Sequence, residues 1–156
     1  MEKYYYGYEE FVADASALVH KTKEYDPDTL LAVARGGLTL GHFMAQGMDM
    51  RRLFALNSIH YNETHKLDTL DIFNIPDLSS AKRVLVIDDI VDSGETLKEI
   101  MRILREKYPE CDFKIATIFY KSTAVIEADF AVKKAHEWID FFWEVDLLEQ
   151  SNNTHS

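Results

Sequence analysis

Three carboxylates, Asp88, Asp89 and Asp92, close a β-branched run in the stretch RVLVIDDIVDSGETLKEI, Arg83 to Ile100. The apolar part, RVLVIDD, predicts a buried parallel strand, and ligands of open α/β sheets bind at the carboxyl edge of such strands. DSGET then predicts the opening of a helix, in which the amides of Ser93, Gly94, Glu95 and Thr96 have no helical carbonyl to meet. Donors gathered at the positive end of a helix dipole form a cradle for an anion. Gly94 lets the backbone approach that anion, and the hydroxyls of Ser93 and Thr96 add donors for phosphate oxygens. Ionised carboxylates only accept, so Asp88 and Asp89 suit either the hydroxyls of a sugar or a hard divalent cation such as Mg2+. A sugar phosphate satisfies both halves. A second candidate is Ala34-Arg35-Gly36-Gly37, where a planar guanidinium fork stands beside two residues that free backbone amides for phosphate oxygens. Each piece also has a plainer reading. An acid before a helix is a common N-cap, acid pairs at strand ends occur in receiver domains and phosphatases, and RGG alone describes an ordinary strand-to-helix turn.

The elements that must position these groups follow from periodicity. Tyr8, Phe11, Ala15, Leu18 and Val19 predict one face of a helix within Gly7 to Tyr25, ended before Pro27. LLAVA, Leu30 to Ala34, predicts a short buried strand, and Leu40, Phe43, Met44 and Met48 a helix after the glycine pair. LFALNS reads as a strand. From Tyr61 to Ser80 the chain turns polar with no sustained period, which predicts a long loop or a mobile flap. Leu97, Ile100, Met101 and Leu104 mark a helix ended at Pro109, and FKIATIFY and DFAVK predict two more strands. Strands alternating with helices imply an α/β fold, a mostly parallel sheet covered on both faces. The tail EQSNNTHS, residues 149–156, is expected to be disordered, leaving one domain over residues 1–148.

Composition narrows the function classes. The 156 residues are 47% hydrophobic, enough for one full core. With 27 acidic and 17 basic residues the net charge is −10, so most of this surface repels a nucleic-acid backbone or an anionic membrane. Cys111 is the only cysteine, which excludes an intrachain disulfide and a cysteine-rich zinc site and fits a reducing compartment. No run reaches the roughly 18 apolar residues of a membrane span, and the start, MEKYYYGYEE, lacks a basic segment leading into an apolar one. A cytoplasmic protein is expected.

The string from Val84 to Thr96 resembles the phosphoribosyl pyrophosphate motif of the type I phosphoribosyltransferases. The resemblance implies that Asp88 and Asp89 bind ribose hydroxyls and assist with Mg2+, and that Asp92, Ser93, Gly94, Glu95 and Thr96 hold the 5'-phosphate. It extends to Arg35, Gly36 and Gly37, similar to the family's pyrophosphate-gripping loop, although Ala34 stands where a small hydroxyl residue is usual. The region ATIFYKSTAVIEADFAVKKAHEWIDFFWEVD is similar to the acceptor hood of bacterial xanthine-guanine phosphoribosyltransferases, here about residues 121–146. By that similarity Lys121, Trp138 and Ile139 are purine-binding. An ammonium can bond the 6-oxygen of a purine but meets the 6-amino group of adenine donor to donor. Without the family, a lysine after a strand is usually solvated and a tryptophan such as Trp138 is more often core. The family's flexible loop falls on Ser58 to Tyr61, SIHY, where His60 replaces a serine. His60, Tyr61 and the basic Lys66 are its candidates.

The resemblance thus implies transfer of 5-phosphoribosyl from phosphoribosyl pyrophosphate to a 6-oxopurine, with Asp92 removing the purine proton, in a homodimer or homotetramer. The alternatives are a transferase for another base, or a phosphoribosyltransferase-like regulator that senses nucleotide or phosphoribosyl pyrophosphate and acts on RNA or DNA, which needs a basic patch such as Lys21, Lys23, Arg51 and Arg52 on a chain that is acidic overall. The tyrosine-rich start reads either as a contact surface or as an ordinary edge strand.

Overall fold

The computed structural model describes residues 2–61 and 69–149. Among them the order is β1 (Lys3–Tyr6), α1 (Tyr8–Thr22), β2 (Thr29–Ala34), α2 (Leu38–Gly47), β3 (Leu53–Tyr61) and β4 (Thr69–Phe73). There follow β5 (Arg83–Val91), α3 (Glu95–Lys107), β6 (Asp112–Tyr120), β7 (Phe130–Lys134) and β8 (Trp138–Phe141). Six strands form one sheet in the order β4-β3-β2-β5-β6-β7, parallel throughout except for β4.

The central strands are apolar on both sides because both sides are covered. On β5, Leu85 and Ile87 join a core with Phe11 and Leu18 of α1 and Leu40 and Met44 of α2. Their neighbours Val84 and Val86 face the other way, into a core with Leu97, Ile100, Met101 and Leu104 of α3. The α3 spacing that predicted a helix is therefore its buried stripe. Acidic Glu9 and Glu10 open α1 and basic His20 and Lys21 close it, complementing its dipole.

The polar stretch from Tyr61 to Ser80 departs from expectation. Residues 69–73 form β4, antiparallel to β3 with Ser58 opposite Ile72 and Tyr61 opposite Thr69. Leu70 and Ile72 alternate as its half-buried face, a period too short to stand out among polar neighbours. β5 also runs on past Asp89 to Val91, two residues beyond the strand read from RVLVIDD, so the acid pair stands just inside its carboxyl end. The tyrosine-rich start is a strand, β1, but its partner is β8, forming a separate parallel pair with Tyr4 opposite Ile139 and Tyr6 opposite Phe141. The expected tail, apart from Glu149, and Lys66 lie outside the described residues.

Candidate active site

The site is assembled at the carboxyl ends of β2, β5 and β6, from the turns that follow them. Asp88 and Asp89 are half-buried neighbours, and the Asp89 amide donates to Asp88 Oδ1 at 2.9 Å. Burial and the adjacent charge of Asp89 push the Asp88 carboxyl well above the ordinary carboxylate range. Burial raises that of Asp89 as well. Two carboxyls short of positive charge suit a cation.

Gly36 ties the arginine loop to this pair. A Cβ at Gly36 would lie 2.7 Å from Asp89 Oδ2, and one at Gly37 would lie 2.3 Å from the Ile87 carbonyl oxygen. No side chain fits at either position without moving backbone or carboxylate, which is why the turn after β2 carries two glycines. The Ala34–Arg35 peptide bond is cis. The glycine pair predicts two amides facing phosphate, but the Gly37 amide turns inward to the Val33 carbonyl at 2.8 Å. Gly37 therefore serves by its missing Cβ, with the exposed Arg35 and half-buried Gly36 nearer the open edge.

The turn after β5 is fixed from behind. Gly94 caps α3 with φ 83°, a left-handed conformation, and is buried under Val125 and Ile126, whose atoms would stand 3.0 to 3.2 Å from a Cβ. The Val125 amide donates to the Ser93 carbonyl at 2.9 Å, and the Glu95 amide meets Ser93 Oγ at 3.3 Å. Ser93, Glu95 and Thr96 surround this turn. Asp92 is not the N-cap, since α3 has no side-chain cap. Its Oδ1 instead accepts from Lys121 Nζ at 2.6 Å, and the Lys121 amide reaches back to the Val91 carbonyl at 2.9 Å.

That ion pair opens into a pocket of about 160 Å3 lined by Asp89, Ile90, Asp92, Lys121, Glu137, Trp138, Ile139, Phe141 and Glu144. Trp138 is 57% exposed and Ile139 8%, so Trp138 presents its ring while Ile139 anchors β8. The tryptophan that packs against the core is the half-buried Trp143, stacked on Phe141 with centroids 4.6 Å apart. Glu144 is a pocket residue the sequence did not single out. Burial and the charges of Asp89 and Asp140 raise its carboxyl, while Arg35 works in the opposite direction. Three turns and β8 thus share one electrostatic neighbourhood, a conjunction no local pattern reveals.

His60 and Tyr61 are placed in β3, opposite Leu70 and Thr69, and not in a loop. Their strand positions are exposed, and so is Ile59 on the face opposite His60, because the strand projects beyond the core on its last residues. Among the described residues no group of three or more His, Cys, Asp or Glu forms a metal cluster, and no helix is long and apolar enough to cross a membrane.

Residues 7–150 match the phosphoribosyl transferase domain family. The chain is 40% identical to the xanthine-guanine-hypoxanthine phosphoribosyltransferase of Helicobacter pylori, covering 97% of this chain and 99% of that one with a TM-score of 0.88. A purine phosphoribosyltransferase from Pyrococcus horikoshii is 28% identical, over 94% of this chain and 96% of its own, with a TM-score of 0.81. The xanthine-guanine phosphoribosyltransferase of Vibrio atlanticus is 30% identical over 74% of this chain and 71% of its own length.

Proposed function

Because this chain belongs to the phosphoribosyl transferase domain family, we propose that it transfers the 5-phosphoribosyl group of phosphoribosyl pyrophosphate to a ring nitrogen of a 6-oxopurine. The acceptor is guanine, xanthine or hypoxanthine, and the products are the purine nucleoside 5'-monophosphate and pyrophosphate. The observation that carries the acceptor is the Asp92–Lys121 pair, 2.6 Å apart in the pocket that Trp138 borders. A carboxylate beside an ammonium offers one acceptor and one donor, the complement of a purine N–H beside its 6-oxygen. The two groups satisfy each other when no base is present. A 6-amino group sets donor against donor, so adenine is refused. The oxopurines for which these relatives are named support the same choice.

Asp88 and Asp89 hold the ribose hydroxyls and, with the substrate's own oxygens, Mg2+. Their raised carboxyls fit that role, because burial and mutual repulsion leave the pair short of the positive charge that a cation would supply, and one or two protein carboxylates suffice to hold Mg2+. Bound there, Mg2+ supplies charge compensation to the departing pyrophosphate. Ser93, Gly94, Glu95 and Thr96 cradle the 5'-phosphate with helix-end amides and hydroxyls. Arg35, Gly36 and Gly37 form the pyrophosphate loop, with the guanidinium stabilising negative charge as the anomeric bond breaks. Asp92 removes the purine proton, Lys121 donates to the 6-oxygen, Trp138 stacks on the ring and the Ile139 backbone meets its edge. His60 and Tyr61, and Lys66 on sequence grounds alone, belong to a cover that excludes water from the sugar cation. One domain over residues 1–148, a cytoplasmic setting suited to a lone cysteine, and assembly as a homodimer or homotetramer complete the proposal; it includes no nucleic-acid partner.

The test is pyrophosphate release from phosphoribosyl pyrophosphate with Mg2+ and each base in turn. Release should require an oxopurine, stop in excess chelator and resume with added magnesium. Base-independent release, or full activity in chelator, contradicts the reading.

A further inference from the structure

Behind the hood lies a cluster of charges that the transfer itself does not use. Glu10 and Asp14 stand one turn apart on α1 and face Lys133 of β7, whose ammonium contacts Glu10 Oε2 and lies 3.0 Å from Asp14 Oδ2. Each carboxylate also accepts from a tyrosine of β1: Tyr4 Oη donates to Glu10 Oε2 at 2.5 Å, and Tyr6 Oη to Asp14 Oδ2 at 2.6 Å. Two residues apart on a strand, Tyr4 and Tyr6 point to the same face, so one ammonium gathers both anchors. Tyr6 is fully buried, and its ring meets Phe119 and Phe141 edge-on at 5.0 and 5.8 Å.

The position of β1 matters because, among the described residues, it is the only strand paired with β8. Tyr4 is opposite Ile139, and Lys3 opposite Trp138, so each step of β1 along its axis moves the two residues proposed to hold the base. Packing holds only one end of β1, since Tyr6 is buried while Lys3, Tyr4 and Tyr5 are exposed. Stability does not explain the charges either. Apolar residues of similar volume in place of a partly buried ion pair are often neutral or stabilising. A lysine shared by two carboxylates, each also bound by a tyrosine hydroxyl, supplies one geometry and therefore one register.

We propose that Lys133, Glu10 and Asp14, through Tyr4 and Tyr6, are positioning residues for the purine acceptor, fixing the height of Trp138 and Ile139 over the base pocket. This rests on the acceptor reading above. None of the three lines that pocket, and none touches the turns assigned to phosphoribosyl pyrophosphate, so the consequence is selective. Loosening the network should weaken purine binding and leave the other substrate alone.

The experiment compares the wild type with a neutral triple variant, Glu10→Gln, Asp14→Asn and Lys133→Met, and with Tyr6→Phe and Lys133→Arg. In the triple variant the KM for the 6-oxopurine should rise about 10-fold, the scale of a small misplacement of binding groups, with kcat and the KM for phosphoribosyl pyrophosphate within about twofold. Tyr6→Phe keeps the ring and loses one hydroxyl, so its purine KM should rise about threefold; Lys133→Arg keeps both ion pairs and should match the wild type. An unchanged purine KM in the triple variant, or an equal rise in both Michaelis constants, overturns the proposal. Should the triple variant not fold, Tyr6→Phe decides, and a wild-type purine KM there also overturns it. A wild type that turns over no oxopurine at all indicts the acceptor reading instead.

Discussion

The proposed phosphate half of the site and the proposed acceptor half are built differently. Asp88, Asp89 and the two glycine turns grow out of central strands whose residues are buried on both faces, and the glycines leave no space for adjustment. Trp138 and Ile139 sit on a two-stranded ribbon made from opposite ends of the chain, with Trp138 more than half exposed. On the proposed reading, the difference separates a fixed grip on a constant substrate from a hood whose position is set by a few contacts. Substitutions in the first half should abolish binding or chemistry, and substitutions in the second should grade it.

The largest effect is expected at Gly94. Valine there must adopt φ 83° with its Cβ 3.0 Å from Ile126, so the turn and the segment over it shift together. Gly94→Val should lose measurable affinity for phosphoribosyl pyrophosphate in calorimetry, and backbone strain of about 1 to 3 kcal/mol should lower Tm by several degrees. Wild-type affinity would remove the cradle from the phosphate half. Next, Asp92→Asn keeps the shape of the Lys121 contact without the base. Single-turnover rates should fall about 100-fold or more while substrates still bind; rates near wild type would take proton removal away from Asp92.

In the acceptor half, Trp138→Ala should raise the KM about 10-fold for every purine alike, since stacking does not sense the 6-substituent. An effect confined to one base would mean that the ring reads an edge. The smallest effect is one of stability. The Asp88 carboxyl keeps its proton to higher pH in the native state than in the unfolded chain, so the native state binds more protons and stability falls as pH rises from the ordinary carboxylate range through the raised value. Asp88→Asn retains the acceptor for the Asp89 amide and removes that charge. Thermal unfolding without ligands should show the variant level with wild type in acid and about 2 to 4 °C more stable near neutrality, with activity lost. A variant less stable at neutral pH would mean that the pair is already compensated.

The same division governs what could be read from the sequence. Leu85 to Ile87 and the DSGET turn were legible because a doubly covered parallel strand is a continuous apolar run and its turn needs fixed residue types. β1 and β8 were not read as a pair, because Tyr6 and Phe141 meet across almost the whole chain and neither strand has the length for a period to emerge. Leu70 and Ile72 carried an alternation too brief to mark β4, so His60 and Tyr61 were expected in a loop. The Asp92–Lys121 pair and the approach of Glu144 to Asp89 depend on how separate turns converge, which no local pattern encodes. The resemblance singled out Lys121, Trp138 and Ile139, which line one pocket, where periodicity did not.

The claim on which both halves depend is that Asp92 and Lys121 together select a 6-oxopurine. Its direct measurement is competition among hypoxanthine, guanine, xanthine, adenine and orotate for phosphoribosyl pyrophosphate, with the wild type and Lys121→Gln. The wild type should use oxopurines and refuse adenine and orotate. In Lys121→Gln, a carbonyl beside an amide should slow oxopurine turnover and narrow its advantage over adenine. A wild type that prefers adenine or orotate, or a Lys121→Gln variant with unaltered base ratios, contradicts the account.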